Sequence, residues 1–255
     1  MMERKKIAVQ LYSVRKELAK DPDETFKALK EIGFEAVQLD GMRGHSPQEI
    51  KALVDRYGFE IAGMHLKHDR FFHDIDGIIE EALLFNCKTI YDKYIDDEDQ
   101  HVDGYVKTKR QLLHVQEQLK GLGFRVGLHC PEYDFNNQID GVTVLDYITA
   151  PAYGLGLYAE PDTYWMSVAG KDPVEEFKKF SYRAPIVHLK DYKKGYDPKD
   201  MDNNLTELGS GDVRVDEIVR WGEANGVEYY CIEQDYSKIG MLQSLAKSFD
   251  YLVSL

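Results

Sequence analysis

Short apolar runs alternate with amphipathic stretches along almost the whole chain. Eight runs rich in β-branched and other apolar residues are typical of strands, and stretches with apolar residues at helical spacing lie between them. The predicted strands are 6–12, 36–39, 59–65, 88–91, 125–129, 154–159, 185–190 and 228–232. Strands that alternate with helices indicate a parallel sheet, which is either closed into a barrel or open and doubly wound.

Start and stop signals bound the predicted helices. Asp21-Pro22 begins one helix that ends at Gly33, and Ser46 begins the next, in the style of a capping box, with its end at Gly58. The other helices are predicted at 76–85, 100–122, 142–150, 172–182, 212–225 and 240–253.

Eight strand–helix units within 255 residues favour the closed (β/α)8 TIM barrel over the open sheet. No GxGxxG pattern follows the first predicted strand, so a dinucleotide-binding sheet lacks its main support. No linker rich in Pro, Gly or Ser divides the chain, and we expect one domain over 1–255. The longest loop, 192–212, would sit over the active face of such a barrel.

The net negative charge of the chain disfavours anionic binding partners. The chain carries 32 Lys and Arg against 45 Asp and Glu, a formal net charge of −13, which argues against nucleic acid and against anionic membrane surfaces. No stretch approaches the length of apolar sequence that spans a membrane. The three cysteines, Cys87, Cys130 and Cys231, lie in or beside apolar runs, where buried reduced thiols indicate a cytoplasmic protein. Small neutral or locally neutralised substrates remain open, and so does a homo-oligomer.

Metal-type side chains follow the last four predicted strands. Asp134, Asp162, His188 and Glu233 stand at the ends of these runs. The first two spacings match one strand–helix unit each, and the third is one unit plus the loop 192–212. Because barrel enzymes gather reactive groups at the C-terminal ends of strands, we expect these side chains to share one divalent cation. Three carboxylates and one imidazole suit Mn²⁺, Mg²⁺, Zn²⁺ or Co²⁺.

Such an ion can polarise the carbonyl of a hydroxy-ketone, so that a carboxylate removes the neighbouring proton. Asp134 and Glu233 are the carboxylates best placed for this acid–base role, from the fifth and eighth strands. Other strand-end residues are candidates for binding the substrate. They are His65, His129, Lys190, Trp165 and Tyr12.

Each of these residues also has a structural interpretation. An acid after a strand, such as Asp134, is often a helix cap or a solvated loop residue. His188 lies within an apolar run and could be a core histidine, while His65 and His129 could support the site from a second layer. With 17 tyrosines in the chain, most aromatic residues must serve ordinary packing.

The segments IAVQLYSVR, GLHCPEYDF, DTYW, VHLKDY, ELGSGDV and CIEQD resemble the xylose-isomerase-like TIM barrel superfamily. This sugar phosphate isomerase/epimerase group is related to inosose dehydratase and ketose 3-epimerases, and the resemblance covers nearly the whole chain. It implies one divalent metal bound by Asp134, Asp162, His188 and Glu233, with the first and last as acid and base.

The chain departs from the family pattern after the fifth strand. Members with a related motif usually carry a glutamate where Asp134 stands and a second histidine where Pro131 stands, and Glu132 is an alternative ligand if the loop is shifted. Where the second strand often ends in glutamate, this chain has Gln38.

The resemblance implies a metal-dependent sugar or sugar phosphate isomerase or epimerase, which transfers a proton through a metal-stabilised enediolate. A lyase or dehydratase on a keto-sugar or keto-inositol would use the same metal and base, so the sequence leaves both open. A carbohydrate-binding barrel without catalysis is a third reading. Endonucleases of the superfamily use three metals and more histidines, and the acidic balance opposes that reading.

Overall fold

A computed structural model describes residues 2–255. Its central sheet has eight parallel strands, β1 (Ile7–Gln10), β2 (Ala36–Asp40), β3 (Glu60–Leu66), β4 (Thr89–Asp92), β5 (Arg125–His129), β6 (Tyr158–Glu160), β7 (Ile186–Leu189) and β8 (Tyr229–Ile232). They lie in the order β6-β5-β4-β3-β2-β1-β8-β7. A parallel bridge between Asp162 and His188 joins the two end strands and nearly closes the ring. The predicted TIM barrel is confirmed, and the open sheet is excluded.

Helices connect the strands on the outside of this ring. They are α1 (Arg15–Lys20), α2 (Pro22–Ile32), α3 (Pro47–Tyr57), α4 (Arg70–His73), α5 (Ile75–Leu84), α6 (Val102–Leu119), α7 (Tyr133–Asn136), α8 (Val144–Thr149), α9 (Thr163–Val168), α10 (Pro173–Phe177), α11 (Met201–Asn204), α12 (Val215–Ala224) and α13 (Met241–Ser254). No helix within residues 2–255 combines the length and the apolar character needed to cross a membrane.

The predicted caps of α2 and α3 are confirmed. Asp21 accepts a hydrogen bond from a first-turn amide of α2 at 3.0 Å. Ser46 and Glu49 form a reciprocal capping box, in which each side chain accepts from the other residue's amide. Gly33 and Gly58 end the two helices with φ of 118° and 63°, a left-handed conformation that glycine adopts without strain.

Two features differ from the expectation. Several short helices, α1, α4, α7 and α9 among them, follow strands directly and were not predicted from the pattern. The sixth strand was expected at 154–159, but β6 is Tyr158–Glu160. Residues 152–155 form a tight turn instead, because Ala152 and Leu155 exchange both backbone hydrogen bonds at 2.9 Å and Gly154 has a φ of 75°.

The loop after β7 is held by one buried carboxylate. Asp191 accepts hydrogen bonds from the amides of Tyr192, Gly209, Gly211 and Val213, at 2.8 to 3.0 Å. Within this loop, Asp191–Tyr192 pairs antiparallel with Leu205–Thr206. Although the loop follows β7 on the C-terminal face, none of residues 192–212 lines the main cavity there.

Polar side chains are concentrated at the C-terminal ends of the strands, although they are buried. The strand-end polar residues are Gln10, Gln38, Asp40, His65, Asp92, His129, Glu160 and His188. Apolar side chains fill the layer between the sheet and the helices. Because buried polar groups are costly unless they are paired, this one face of the barrel is the place to look for chemistry.

Candidate metal centre

Four side chains from consecutive strands converge at the C-terminal face. His129 ends β5, Asp162 follows β6 by two residues, His188 lies in β7 and Glu233 directly follows β8. One nitrogen or oxygen atom of each lies within 4.8 Å of the corresponding atoms of the other three, and all four residues are buried. We call these four residues the ligand cluster. Three of them were predicted as metal ligands, and His129 was predicted to bind the substrate.

The converging atoms have no hydrogen-bond partner among residues 2–255. They are Nε2 of His129, Oδ2 of Asp162, Nδ1 of His188 and Oε2 of Glu233. His188 Nδ1 lies 2.7 Å from Glu233 Oε2 and 3.7 Å from Asp162 Oδ2, but these contacts lack hydrogen-bonding geometry. Buried polar atoms normally form hydrogen bonds. Four ligand-type atoms that form none and converge on one point therefore fit a divalent cation.

The orientation of His129 suits this role. Its Nδ1 lies 3.1 Å from the backbone carbonyl oxygen of Lys93. A carbonyl oxygen only accepts hydrogen bonds, so Nδ1 carries the proton and donates it. The other ring nitrogen, Nε2, then keeps its lone pair and faces Asp162 Oδ2 at 3.6 Å. An imidazole fixed from behind by a carbonyl is the usual arrangement of a metal-binding histidine.

A buried lysine balances the charge of the ligand cluster. Lys190 is 1% exposed, and its Nζ lies 3.2 Å from Asp162, 3.1 Å from Glu233 and 2.9 Å from Asp235. Burial alone would raise the pKa of the Glu233 carboxyl, but nearby positive charge, that of Lys190 first, outweighs it and lowers that pKa. Trp165 covers the lysine, with its ring centroid 5.3 Å from Nζ. The carboxylates are therefore ionised, as metal ligands must be.

Beneath the ligand cluster, Gln38, His65 and Glu160 form what we call the inner network. Gln38 Nε2 donates to Glu160 Oε1 at 2.5 Å, and His65 contacts the other carboxylate oxygen through Nε2. The inner network also reaches His188, whose Nε2 lies 2.8 Å from Gln38 Oε1. In contrast to the ligand cluster, these atoms all have partners.

Asp134 lies apart from the ligand cluster, although the sequence favoured it as a ligand and as a catalytic acid. It belongs to α7, where successive side chains turn by about 100°, so it points differently from its neighbours Glu132 and Tyr133. Asp134 is fully buried and neither of its oxygens has a hydrogen-bond partner. Burial and the nearby charge of Asp92 raise the pKa of its carboxyl well above the usual range.

A cavity of about 540 Å³ opens beside the ligand cluster. All of the residues predicted to bind the substrate line it, namely Tyr12, His65, His129, Trp165 and Lys190. Glu132, the alternative ligand from the fifth strand, also lines the cavity, where its side chain accepts from Asn136 at 3.0 Å. Asp134 does not line it.

Several residues of this region were not singled out as site residues from the sequence. Asp235 lines the cavity and pairs with Lys190, and Glu160 holds the inner network together. Both stand at strand ends, which is the signal that marks them. Gln38 was noted only because the family often has glutamate there, since an uncharged amide gives no pattern that distinguishes a support from packing.

No protein-family model and no curated protein sequence matches the chain. Solved structures do match. A sugar phosphate isomerase/epimerase from Parabacteroides distasonis superposes with a TM-score of 0.80 at 18% identity, over 98% of both chains. The probable 3-DHS dehydratase AsbF from Bacillus anthracis has a TM-score of 0.72 at 14% identity, over 97% of this chain and 98% of that one.

A third similar structure is a xylose isomerase-like TIM barrel protein from Mycobacterium smegmatis in complex with magnesium. It has a TM-score of 0.72 at 14% identity, and the superposition covers 100% of this chain and 98% of that one. The resemblance expected from the sequence is therefore confirmed, and the chain has the fold of the xylose isomerase-like TIM barrel proteins.

Proposed function

We propose that this protein is a divalent-metal-dependent isomerase or epimerase that acts on a sugar or a sugar-like hydroxy-ketone. The observation that carries the proposal is the ligand cluster, because four buried ligand-type atoms without hydrogen bonds converge beside a cavity large enough for a small carbohydrate, which His129 and Glu233 line. The fold supports it, since similar barrels include a sugar phosphate isomerase/epimerase and a magnesium complex.

The donor set suits particular metals. The sequence suggested three oxygens and one nitrogen, whereas the ligand cluster offers two carboxylate oxygens and two imidazole nitrogens. Imidazole ligands favour Zn²⁺ over Mg²⁺ and Mn²⁺. We therefore propose His129, Asp162, His188 and Glu233 as ligands, and Zn²⁺ is the first ion to test. When bound, the ion would polarise the carbonyl oxygen of the substrate.

Glu233 is our candidate for proton transfer at the carbon next to that carbonyl. Its carboxyl lines the cavity and is ionised, which is the form that accepts a proton. The second proton-transfer group, which the sequence assigned to Asp134, must reach the cavity. Glu132 does so from the same loop, and we propose it for this role. Lys190 and His65 would hold substrate oxygens.

A dehydratase is the second candidate function, and the similarity to AsbF supports it. The same carboxylate would remove the proton, and the electron pair would then expel a neighbouring hydroxyl group as water. Lys190 lines the cavity and would hold the leaving hydroxyl, which takes up the proton that the carboxylate removed and departs as water. Products formed in deuterium oxide separate the two reactions, because an isomerase adds solvent deuterium to carbon, whereas a dehydratase product lacks one molecule of water.

Glu233→Gln tests the assignment of the base, because it removes the charge with little change in volume. We expect turnover to fall by about 10²- to 10⁴-fold while the circular dichroism spectrum is unchanged. Glu228→Gln is the matched control, since Glu228 lies before β8 at the opposite end of the strand and pairs with Arg125. Turnover by the Glu233 variant near the level of the control would contradict the proposal. If the wild-type protein binds no metal, a binding barrel without catalysis is favoured.

A further inference from the structure

We propose that Gln38 and Glu160 are positioning residues that hold the proton of His188 on Nε2 and leave Nδ1 free to bind a metal. This inference rests on the proposed metal-dependent function. It concerns the inner network, whose members do not belong to the ligand cluster, apart from the contact to His188.

Glu160 determines which atoms donate and which accept in the hydrogen bonds of the inner network. This side chain is fully buried, and its two oxygens face Gln38 and His65. A carboxylate accepts hydrogen bonds through both of its oxygens. Gln38 presents its NH₂ group to Oε1 of Glu160, at 2.5 Å, and His65 contacts Oε2 through Nε2.

This orientation decides what Gln38 offers to His188. With its nitrogen bound to the carboxylate, the amide turns its oxygen toward His188 Nε2, at 2.8 Å. An amide oxygen only accepts, so Nε2 must carry the proton and donate it. In the neutral imidazole the other nitrogen then has the lone pair. That nitrogen, Nδ1, is the atom that faces Asp162 and Glu233 in the ligand cluster.

The competing arrangement would disable the metal site. Glu233 Oε2 lies 2.7 Å from Nδ1, and a rotation of this carboxylate would make it an acceptor for a proton on that nitrogen. A proton held there would occupy the lone pair that a metal needs. Gln38 supplies the competing acceptor on the opposite side of the ring, and Glu160 prevents the amide from turning over. The pair therefore selects the metal-binding tautomer.

The inner network is better described as a support than as a second metal site. His65, Glu160 and His188 also bring ligand-type atoms within 4.8 Å of one another. Their converging atoms are already paired by the hydrogen bonds of Gln38 and His65. The converging atoms of the ligand cluster have no hydrogen bonds, and only its two carboxylate oxygens form ion pairs, with Lys190. Atoms that are hydrogen-bonded in the inner network and not in the ligand cluster indicate one metal site with a supporting layer behind it.

Gln38→Met tests the inference because it removes the amide and keeps the length of the side chain. Gln10→Met is the matched control, since Gln10 is equally buried and pairs in register with Gln38 on the adjacent strand. We would measure the Zn²⁺ affinity by chelator competition and the His188 Nε2–H signal of Zn²⁺-loaded, ¹⁵N-histidine-labelled protein. In the wild type and the control, this proton should be sharp, shifted downfield and slow to exchange.

In Gln38→Met we expect that signal to be lost and the Zn²⁺ affinity to fall by about 10- to 100-fold. The exchange Gln38→Glu with Glu160→Gln provides a rescue, because a carboxylate at position 38 again accepts from His188 while an amide at position 160 donates to it. The double variant should bind Zn²⁺ more tightly than Glu160→Gln alone. A variant that only loosened the barrel would lower the melting temperature without moving the His188 signal.

Two outcomes would overturn the inference while the metal site stands. One is a Gln38→Met protein with the affinity and the His188 signal of the Gln10 control. The other is an exchanged pair that binds no better than Glu160→Gln alone. A wild-type protein that does not bind Zn²⁺, Mn²⁺ or Co²⁺ would instead contradict the proposed function itself, so the two failures are distinguishable.

Discussion

At the scale of single residues, the main departure from expectation concerns the fifth strand. The convergence of Asp162, His188 and Glu233 could be expected from the sequence because each follows an apolar run at barrel-like spacing. The convergence of His129 with them, in place of Asp134, could not be expected. It depends on α7, a single turn that rotates Asp134 away from the cavity, and such short helices leave no periodic signal.

Measurements of metal affinity test whether His129 or Asp134 is the ligand from the region at the C-terminal end of β5. His129→Asn should weaken Zn²⁺ binding by roughly 100-fold or more, because the loss of a ligand costs more than the loss of a supporting contact. Asp134→Asn should bind Zn²⁺ like the wild type. Isothermal titration of the three metal-stripped proteins makes the comparison. The reverse ranking would indicate that α7 rearranges and brings Asp134 to the metal.

The buried Asp134 carboxyl also predicts a pH dependence of stability. Burial and the charge of Asp92 raise its pKa, so the folded protein keeps a proton that the unfolded chain loses above about pH 4. The stability that this proton supplies is fully present below the unfolded pKa and is lost as the pH rises through the folded pKa. Asparagine resembles the protonated acid and does not titrate.

We therefore expect Asp134→Asn to exceed the wild type in free energy of unfolding by about 1 kcal/mol or more at pH 8, and the two to converge toward pH 4. Urea unfolding of metal-free protein at both pH values measures the difference. Asp140→Asn on the exposed turn that follows is the control, and it should show no such trend. A wild type as stable as the Asp134 variant at pH 8 would contradict the prediction.

At the scale of elements, helices whose ends are marked by capping residues in the sequence were predicted, and the short helices were not. The caps at Asp21 and Ser46 are sequence-local, so α2 and α3 were found with their true ends. Helices of four to six residues, such as α4 and α9, are too short to be stable alone. Tertiary contacts at the barrel mouth hold them, and those contacts are not visible in a local window.

The loop after β7 gives a prediction at this scale. Asp191→Ala leaves four backbone amides of the loop without their acceptor, which should lower the free energy of unfolding by about 2 to 4 kcal/mol. Limited proteolysis should then cut within 192–212. Asp212→Ala is the control, because this exposed carboxylate accepts from one amide only. Equal stability of the two variants would contradict the role of Asp191 as the clamp of this loop.

At the scale of the whole molecule, the barrel brings together residues that are distant in sequence. His129 and Glu233 are separated by most of the second half of the chain, yet they border the same cavity because β5 to β8 end on one face. The alternation of strands and helices predicted this ring. The alternation could not predict that the polar atoms divide into the ligand cluster and the inner network. Which of these atoms form hydrogen bonds depends on side-chain directions that packing determines.

The most direct test of the central claim is anomalous diffraction from crystals grown with Zn²⁺. We expect one strong peak at the C-terminal face, bound by His129 Nε2, Asp162 Oδ2, His188 Nδ1 and Glu233 Oε2. A peak bound by Asp134 in place of His129, a peak away from this cavity, or no peak at a Zn²⁺ concentration that saturates similar sites would contradict it.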